Sequence, residues 1–321
     1  MSVPAVVLAG MALTERLNDP RSQLRGYLDS RLPNTRAVAA TYRAAIAGYG
    51  PGIPTPPHLS GPDGPSGRYP AGEVGHAYNA RVELLFGCGL SVLPPGVNPL
   101  TGRNWEIGET AFHEVFGPAG SMGGFTQHSA AEEERLIRAC YALGLFDQLY
   151  RAGPRPGMAL LELPSNAPVG DLLALCPAPA VEDLLALTAR TRTALEPLYR
   201  SGAASVRSSP VFSGSADVGG ADGDLVVDTT LLELKTTKSP GMNKRDVQQL
   251  ACYALLDYTD EYALASVTYY NPRHGPAFTV PLGELLSTLA GQHVSVATIR
   301  AELAAVIGSR RLPETRRPRR P

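Results

Sequence analysis

Excess charge of either sign is the first thing this chain lacks. It has 29 Lys and Arg against 30 Asp and Glu, a formal net charge of −1 with 18% charged residues. That balance excludes a protein that coats nucleic acid over its whole surface, so any contact with a polyanion must be local. Cysteine is scarce as well. Cys88, Cys140, Cys176 and Cys252 lie far apart, mostly inside apolar runs, with no CxxC pair to hold zinc or an iron–sulfur cluster. Buried free thiols in a reducing cytoplasm are expected. No apolar run reaches the roughly 18 residues of a membrane span. The opening MSVPAVVLAGMALTERL is a short apolar stretch without a preceding basic region, so no secretory signal is expected. The glycines of 214–223 precede neither a helix nor a GK[ST] sequence, so a phosphate-binding loop is excluded there. No useful internal repeat is present.

With 321 residues, the chain is roughly two average domains long, or one large α/β domain with embellishments. Residues 1–200 read as mainly helical. Helical spacing runs up to about residue 50 and again over 74–86, with Gly- and Pro-rich loops at 50–72 and 87–102. Residues 130–151, AAEEERLIRACYALGLFDQLYR, open with three acids and place Leu136, Cys140, Leu143 and Phe146 at helical intervals. The glutamates 132–134 then form a solvated, dipole-favoured first turn. Further helices are expected over 169–175 and 180–199. From Ser205 the texture changes to short β-favouring runs at 223–227, 231–235 and 265–270, with a helix over 243–256 between the last two. The fold class is therefore α/β (α+β), a small mixed sheet flanked by helices behind a mainly helical N-terminal region. Residues 301–321 read as a helix end and a basic, Pro-rich disordered tail.

The chemistry is concentrated in DGDLVVDTTLLELKTT, residues 222–237. Two apolar runs flank Asp228-Thr229, which suits a hairpin although the usual turn glycine is absent. With a two-residue loop, Val227 pairs with Thr230, Val226 with Leu231 and Leu225 with Leu232. Asp224 then falls opposite Glu233, and Asp222 opposite Lys235. Leu225, Val227, Leu232 and Leu234 take the other face, ready to pack on helices. A longer loop would favour Asp222 over Asp224. Two carboxylates facing each other across a strand pair repel, and a divalent cation offsets that cost. Mg²⁺ or Mn²⁺ prefers oxygen ligands such as Asp224, Glu233, Asp222 and the Leu234 carbonyl. Lys235 beside it can orient or deprotonate water and stabilise charge on phosphorus. On the hairpin alone, the same residues could equally be the solvated face of an ordinary amphipathic hairpin, with a weak surface ion pair.

The following helix, NKRDVQQLACYALL, places Gln249 and Tyr253 on one face at i, i+4. It is entered through Lys238, Lys244 and Arg245, a basic cluster suited to phosphates. Asp224, Glu233-Leu234-Lys235 and Gln249-Leu250-Ala251-Cys252-Tyr253 together resemble the acid, ExK and QxxxY series of PD-(D/E)XK nucleases, closest in pattern to RecB-type and lambda-exonuclease-like domains. The resemblance covers about a quarter of the chain, 212–282. It implies a restriction-endonuclease-like core over 201–300 and metal-dependent hydrolysis of DNA, of the exonuclease-like kind used in repair, phage defence and mobile-element processing. Asp224 and Glu233 would hold metal, Lys235 would act on water, and Gln249 with Tyr253 would brace the site or the DNA backbone. RecB-type domains often add a His or Glu from an upstream helix, for which His76, His128 and the glutamates 132–134 are candidates. Taken singly, His76 reads better as a capping or partly exposed histidine. The iron–sulfur cysteines of the CRISPR-associated relatives are missing. The helical N-terminal region would shape a DNA channel or select a protein partner. The alternative is a noncatalytic nucleic-acid-binding or assembly module that keeps the fold. Trp105 could stack on a base or anchor a loop, and Tyr269, Tyr270, Arg273 and His274 could touch nucleic acid or finish a sheet edge.

Overall fold

The computed structural model describes residues 13–56, 70–88, 128–164, 167–200 and 205–308. The N-terminal apolar stretch, Trp105, most of both Gly- and Pro-rich segments, and the basic tail lie outside the described residues.

In chain order the helices before the sheet are α1 (Leu13–Asn18), α2 (Gln23–Arg31), α3 (Thr35–Ile46), α4 (Ala71–Leu85), α5 (Ala130–Ala152), α6 (Ala159–Glu162), α7 (Val169–Ala174) and α8 (Ala178–Arg200). They are followed by β1 (Val206–Ser208), β2 (Leu225–Val227), β3 (Thr230–Leu234), α9 (Lys244–Leu256), β4 (Ser266–Tyr270), β5 (Phe278–Pro281), α10 (Leu282–Ala290) and α11 (Val296–Ile307). The start of α5 is set by a capping box. Ser129 Oγ accepts from the Glu132 N–H, and the Ser129 N–H donates to Glu132 Oε2. Asn243 and Asp246 do the same for α9. Of the three glutamates Glu132 is exposed as expected, while Glu133 departs from the solvated turn: it is drawn inward by a bidentate pair with Arg81, at 2.7 and 2.8 Å, and by Arg192 at 3.1 Å.

The five strands form one mixed sheet in the order β1-β2-β3-β4-β5, antiparallel except for the parallel β3–β4 pair that α9 connects. The β2–β3 register is the one expected: Val227 opposite Thr230, Val226 opposite Leu231, Leu225 opposite Leu232. Asp228 supplies the positive φ, 51°, that the missing turn glycine would have given, a conformation Asp tolerates better than most residues. Beyond the last β2–β3 pair, Asp222 extends the β1–β2 register on the other side of the strand through a bridge to Val211.

Strand alternation sends the two sets of side chains into two cores. Leu225, Val227, Leu232, Leu234 and Tyr270 pack with α4, α5, α7 and α8, including Val74, Tyr78, Cys140, Phe146 and Leu184. Val226, Leu231, Val267 and Tyr269 pack with α1–α3 and α9–α11, including Leu28, Tyr42, Val247, Leu250 and Leu303. The sheet is thus covered on both faces, and α1–α3 from the chain's start complete the layer built by α9–α11. Cys140, Cys176 and Cys252 are buried free thiols within these layers. No helix among the described residues is long and apolar enough to cross a membrane.

Candidate active site

Just before β2 begins, beside the end of β3, pairing passes from backbone to side chain. Asp224 Oδ2 accepts from the Leu234 N–H at 2.6 Å, and its Oδ1 accepts from Asn79 Nδ2 of α4 at 2.8 Å. Across from it, Glu233 is 2% exposed. Its Oε1 takes Lys235 Nζ at 2.5 Å, whereas its buried Oε2 has no hydrogen-bond partner among the described residues. Lys235 Nζ also donates to Gln249 Oε1 at 3.2 Å, and Gln249 Nε2 donates to the Tyr253 hydroxyl at 2.7 Å. The i, i+4 pair on α9 therefore fixes the lysine that β3 presents. One continuous chain of bonds runs Glu233–Lys235–Gln249–Tyr253.

Electrostatically the group is unbalanced. Burial, reinforced by Glu233, pushes the Asp224 carboxyl well above the usual carboxylate range, against Lys235 and the Leu234 N–H. Burial also raises Glu233, against Lys235. Burial alone would lower the Lys235 ammonium, but Glu233 and Asp224 more than offset it, and the group stands above the ordinary lysine value. The lysine is accordingly protonated at neutral pH.

Beside this group lies a cavity of about 410 Å³ whose lining includes His76, Asn79 and Glu83 of α4, Asp147 of α5, Asp222, Asp224, Gln249 and Tyr253. Residues 76, 79 and 83 stand at i, i+3 and i+7, one face of a helix. Burial, with Asp222 next, raises the Glu83 carboxyl to about 7. The structure therefore brings together Asp222, Asp224, Gln249 and Tyr253 in the lining and joins Glu233 and Lys235 to them by hydrogen bonds. It does not bring the basic cluster there. Lys244 Nζ pairs with Asp29 of α2 at 2.7 Å, Arg245 Nη1 reaches Asn18 at 3.2 Å, and Lys238 is exposed in the loop after β3. Among the upstream-helix candidates, His76 lines the cavity. His128 sits near Arg81, Glu133 and Arg192, where burial and then Arg81 lower its pKa. Asn79 and Glu83 escaped the sequence reading, although their spacing from His76 was the available signal. Tyr269 and Tyr270 are core residues, and Arg273 is buried in an ion pair with Asp183.

The donor set bears on which cation would fit. Two carboxylates share one ammonium in a buried place, and one carboxylate oxygen lacks any partner, which leaves a net negative charge and an open lone pair. Among the described residues no three His, Cys, Asp or Glu side chains gather as a ready metal cage. Mg²⁺ ordinarily keeps several waters and uses only one or two carboxylates, so the pair suits it or Mn²⁺. Comparison with known proteins returned no family model, no curated protein and no solved structure that matches this chain.

Proposed function

We propose that this cavity hydrolyses DNA phosphodiester bonds with the help of Mg²⁺ or Mn²⁺ and that the sheet with its flanking helices is a restriction-endonuclease-like core. The observation that carries the reading is the partnerless, buried Glu233 Oε2 next to Asp224, with Lys235 two residues on and held by Gln249. Asp224 and Glu233 would hold the cation, with Asp222 at the cavity wall. Once bound, the cation polarises phosphoryl oxygens and offsets the negative charge that grows at phosphorus. Lys235 serves a complementary purpose: its side chain would orient the attacking water and stabilise the developing charge. Gln249 and Tyr253 hold that ammonium in one place, so little reorganisation is needed as the reaction proceeds. The motif resemblance of Asp224, Glu233-Leu234-Lys235 and Gln249–Tyr253 points to the same chemistry.

The test is incubation of the purified protein with end-labelled linear and closed circular DNA and Mg²⁺ or Mn²⁺, beside Glu233→Ala, Lys235→Ala and an EDTA control. Cleavage lost in both variants and with EDTA supports the reading, and faster loss of the linear form marks an exonuclease. Binding without cleavage under either metal would replace it with a noncatalytic nucleic-acid-binding module.

A further inference from the structure

Among the described residues the cavity lining carries four carboxylates, Glu83, Asp147, Asp222 and Asp224, and no lysine or arginine. His76 is the single side chain among these described lining residues able to bear positive charge. It sits one helical turn before Asn79, whose amide holds Asp224, so the imidazole and Asp224 share one cavity. Its Nδ1 lies 3.1 Å from Asp147 Oδ2 across the α4–α5 interface, with the His76 side chain 42% exposed. A glycine assists that reach. A Cβ at Gly144, one turn before Asp147, would meet His76 Cβ at 3.1 Å and the Glu73 carbonyl oxygen at 3.2 Å, so a larger residue would press the two helices slightly apart. On the same wall Glu73 is engaged by Gln148.

A carboxylate on Nδ1 holds the ring and its tautomer, and leaves Nε2 as the nitrogen that can meet a ligand. We infer that His76, oriented by Asp147, is the general acid that protonates the departing oxygen of the cleaved phosphodiester. This inference rests on the hydrolytic reading above. Lys235, bonded to Glu233 and Gln249, serves the attacking water in the proposed step, which leaves the departing oxygen to another donor. In the step, a bond forms between the water oxygen and phosphorus as the bond from phosphorus to the 3′ oxygen breaks. The proton on Nε2 passes to that 3′ oxygen, the proton shed by the water goes to solvent, and the neutral imidazole is reprotonated from solvent. His76 is thus a catalytic residue and Asp147 a positioning residue.

The experiment compares wild type, His76→Gln and Asp147→Asn on two oligonucleotides with Mn²⁺. One carries an ordinary linkage. The other carries sulfur in place of the bridging 3′ oxygen at the same linkage, so its thiolate leaves without a proton. On oxygen, His76→Gln should lose about 100-fold and Asp147→Asn about 10-fold, the range expected for removing or misplacing a general acid. On sulfur both should stay within about threefold of wild type, because the step that needs the acid is gone. Equal losses on both linkages would make His76 a structural or binding residue and overturn the inference. So would His76→Gln cleaving the oxygen linkage at the wild-type rate. Wild type that cleaves neither linkage would overturn the hydrolytic reading itself, an outcome distinct from a wild type that cleaves and a His76 variant that does so equally well.

Discussion

Among the buried charge clusters of the described residues, two are built on opposite plans. Asp183 of α8 and Arg273, after β4, are 0% and 1% exposed and meet through two parallel hydrogen bonds, while Arg273 Nε donates to the Thr236 carbonyl at 2.8 Å. One charge answers one charge, and the fork is fully used. At Asp224, Glu233 and Lys235 two acids face one base, Glu83 and Asp222 add more negative charge nearby, and a carboxylate oxygen has no partner. Burial of charge is common to both clusters and so cannot mark function. In the proposed function it is the imbalance that a divalent cation would answer.

The contrast breaks first under Asp183→Ala. It strands the Arg273 guanidinium in the interior and should cost about 3–5 kcal/mol in urea unfolding. A loss below about 1 kcal/mol would remove the distinction drawn here. Next in size is the pH dependence without divalent ions. The folded chain raises Glu83 to about 7 from 4.5, so the stability it contributes is full below about pH 4.5 and lost as pH rises through 7. Asp224 and Glu233 shift the same way. Unfolding in EDTA should therefore show stability falling from pH 5 to pH 8, with Glu83→Gln removing about 3 kcal/mol of that fall. A profile identical to wild type in the variant would contradict the placement of Glu83.

A smaller effect carries the opposite sign to Asp183→Ala. In EDTA at pH 8, Glu233→Gln should stabilise the protein by about 1 kcal/mol, since it removes one of two crowded charges while the amide still accepts from Lys235. Destabilisation comparable to that of Asp183→Ala would make the two clusters alike. The smallest effect is expected of Gly144→Ala. The methyl group presses on His76 and on the Glu73 backbone, and after the better helix propensity of alanine is subtracted the net loss should be about 1 kcal/mol by thermal unfolding.

How much of this was legible depended on sequence distance. The β2–β3 register followed from strict alternation and a two-residue loop, and Asp228 took the left-handed turn position without a glycine. Asp224, Glu233, Lys235, Gln249 and Tyr253 were likewise visible, because each is fixed by spacing within a single hairpin or helix. Asn79, Glu83 and Asp147 were not. They come from α4 and α5, far upstream, and reach the cavity only through helix packing that Gly144 permits. The inward turn of Glu133 depends in the same way on Arg81 and Arg192, from two other helices. Strands β1 and β5, with three and four residues, were too short to show a period, and their pairing comes from neighbours that the local pattern does not contain.

The central claim is that the unbalanced cluster is completed by a divalent cation, and calorimetric titration of Mn²⁺ into the metal-free protein tests it most directly. The account predicts one binding event that is present in wild type, weakened at least tenfold in Glu233→Gln, and unchanged in Glu134→Gln on the surface of α5. Binding that is absent from wild type, or equally strong in Glu233→Gln, would contradict it.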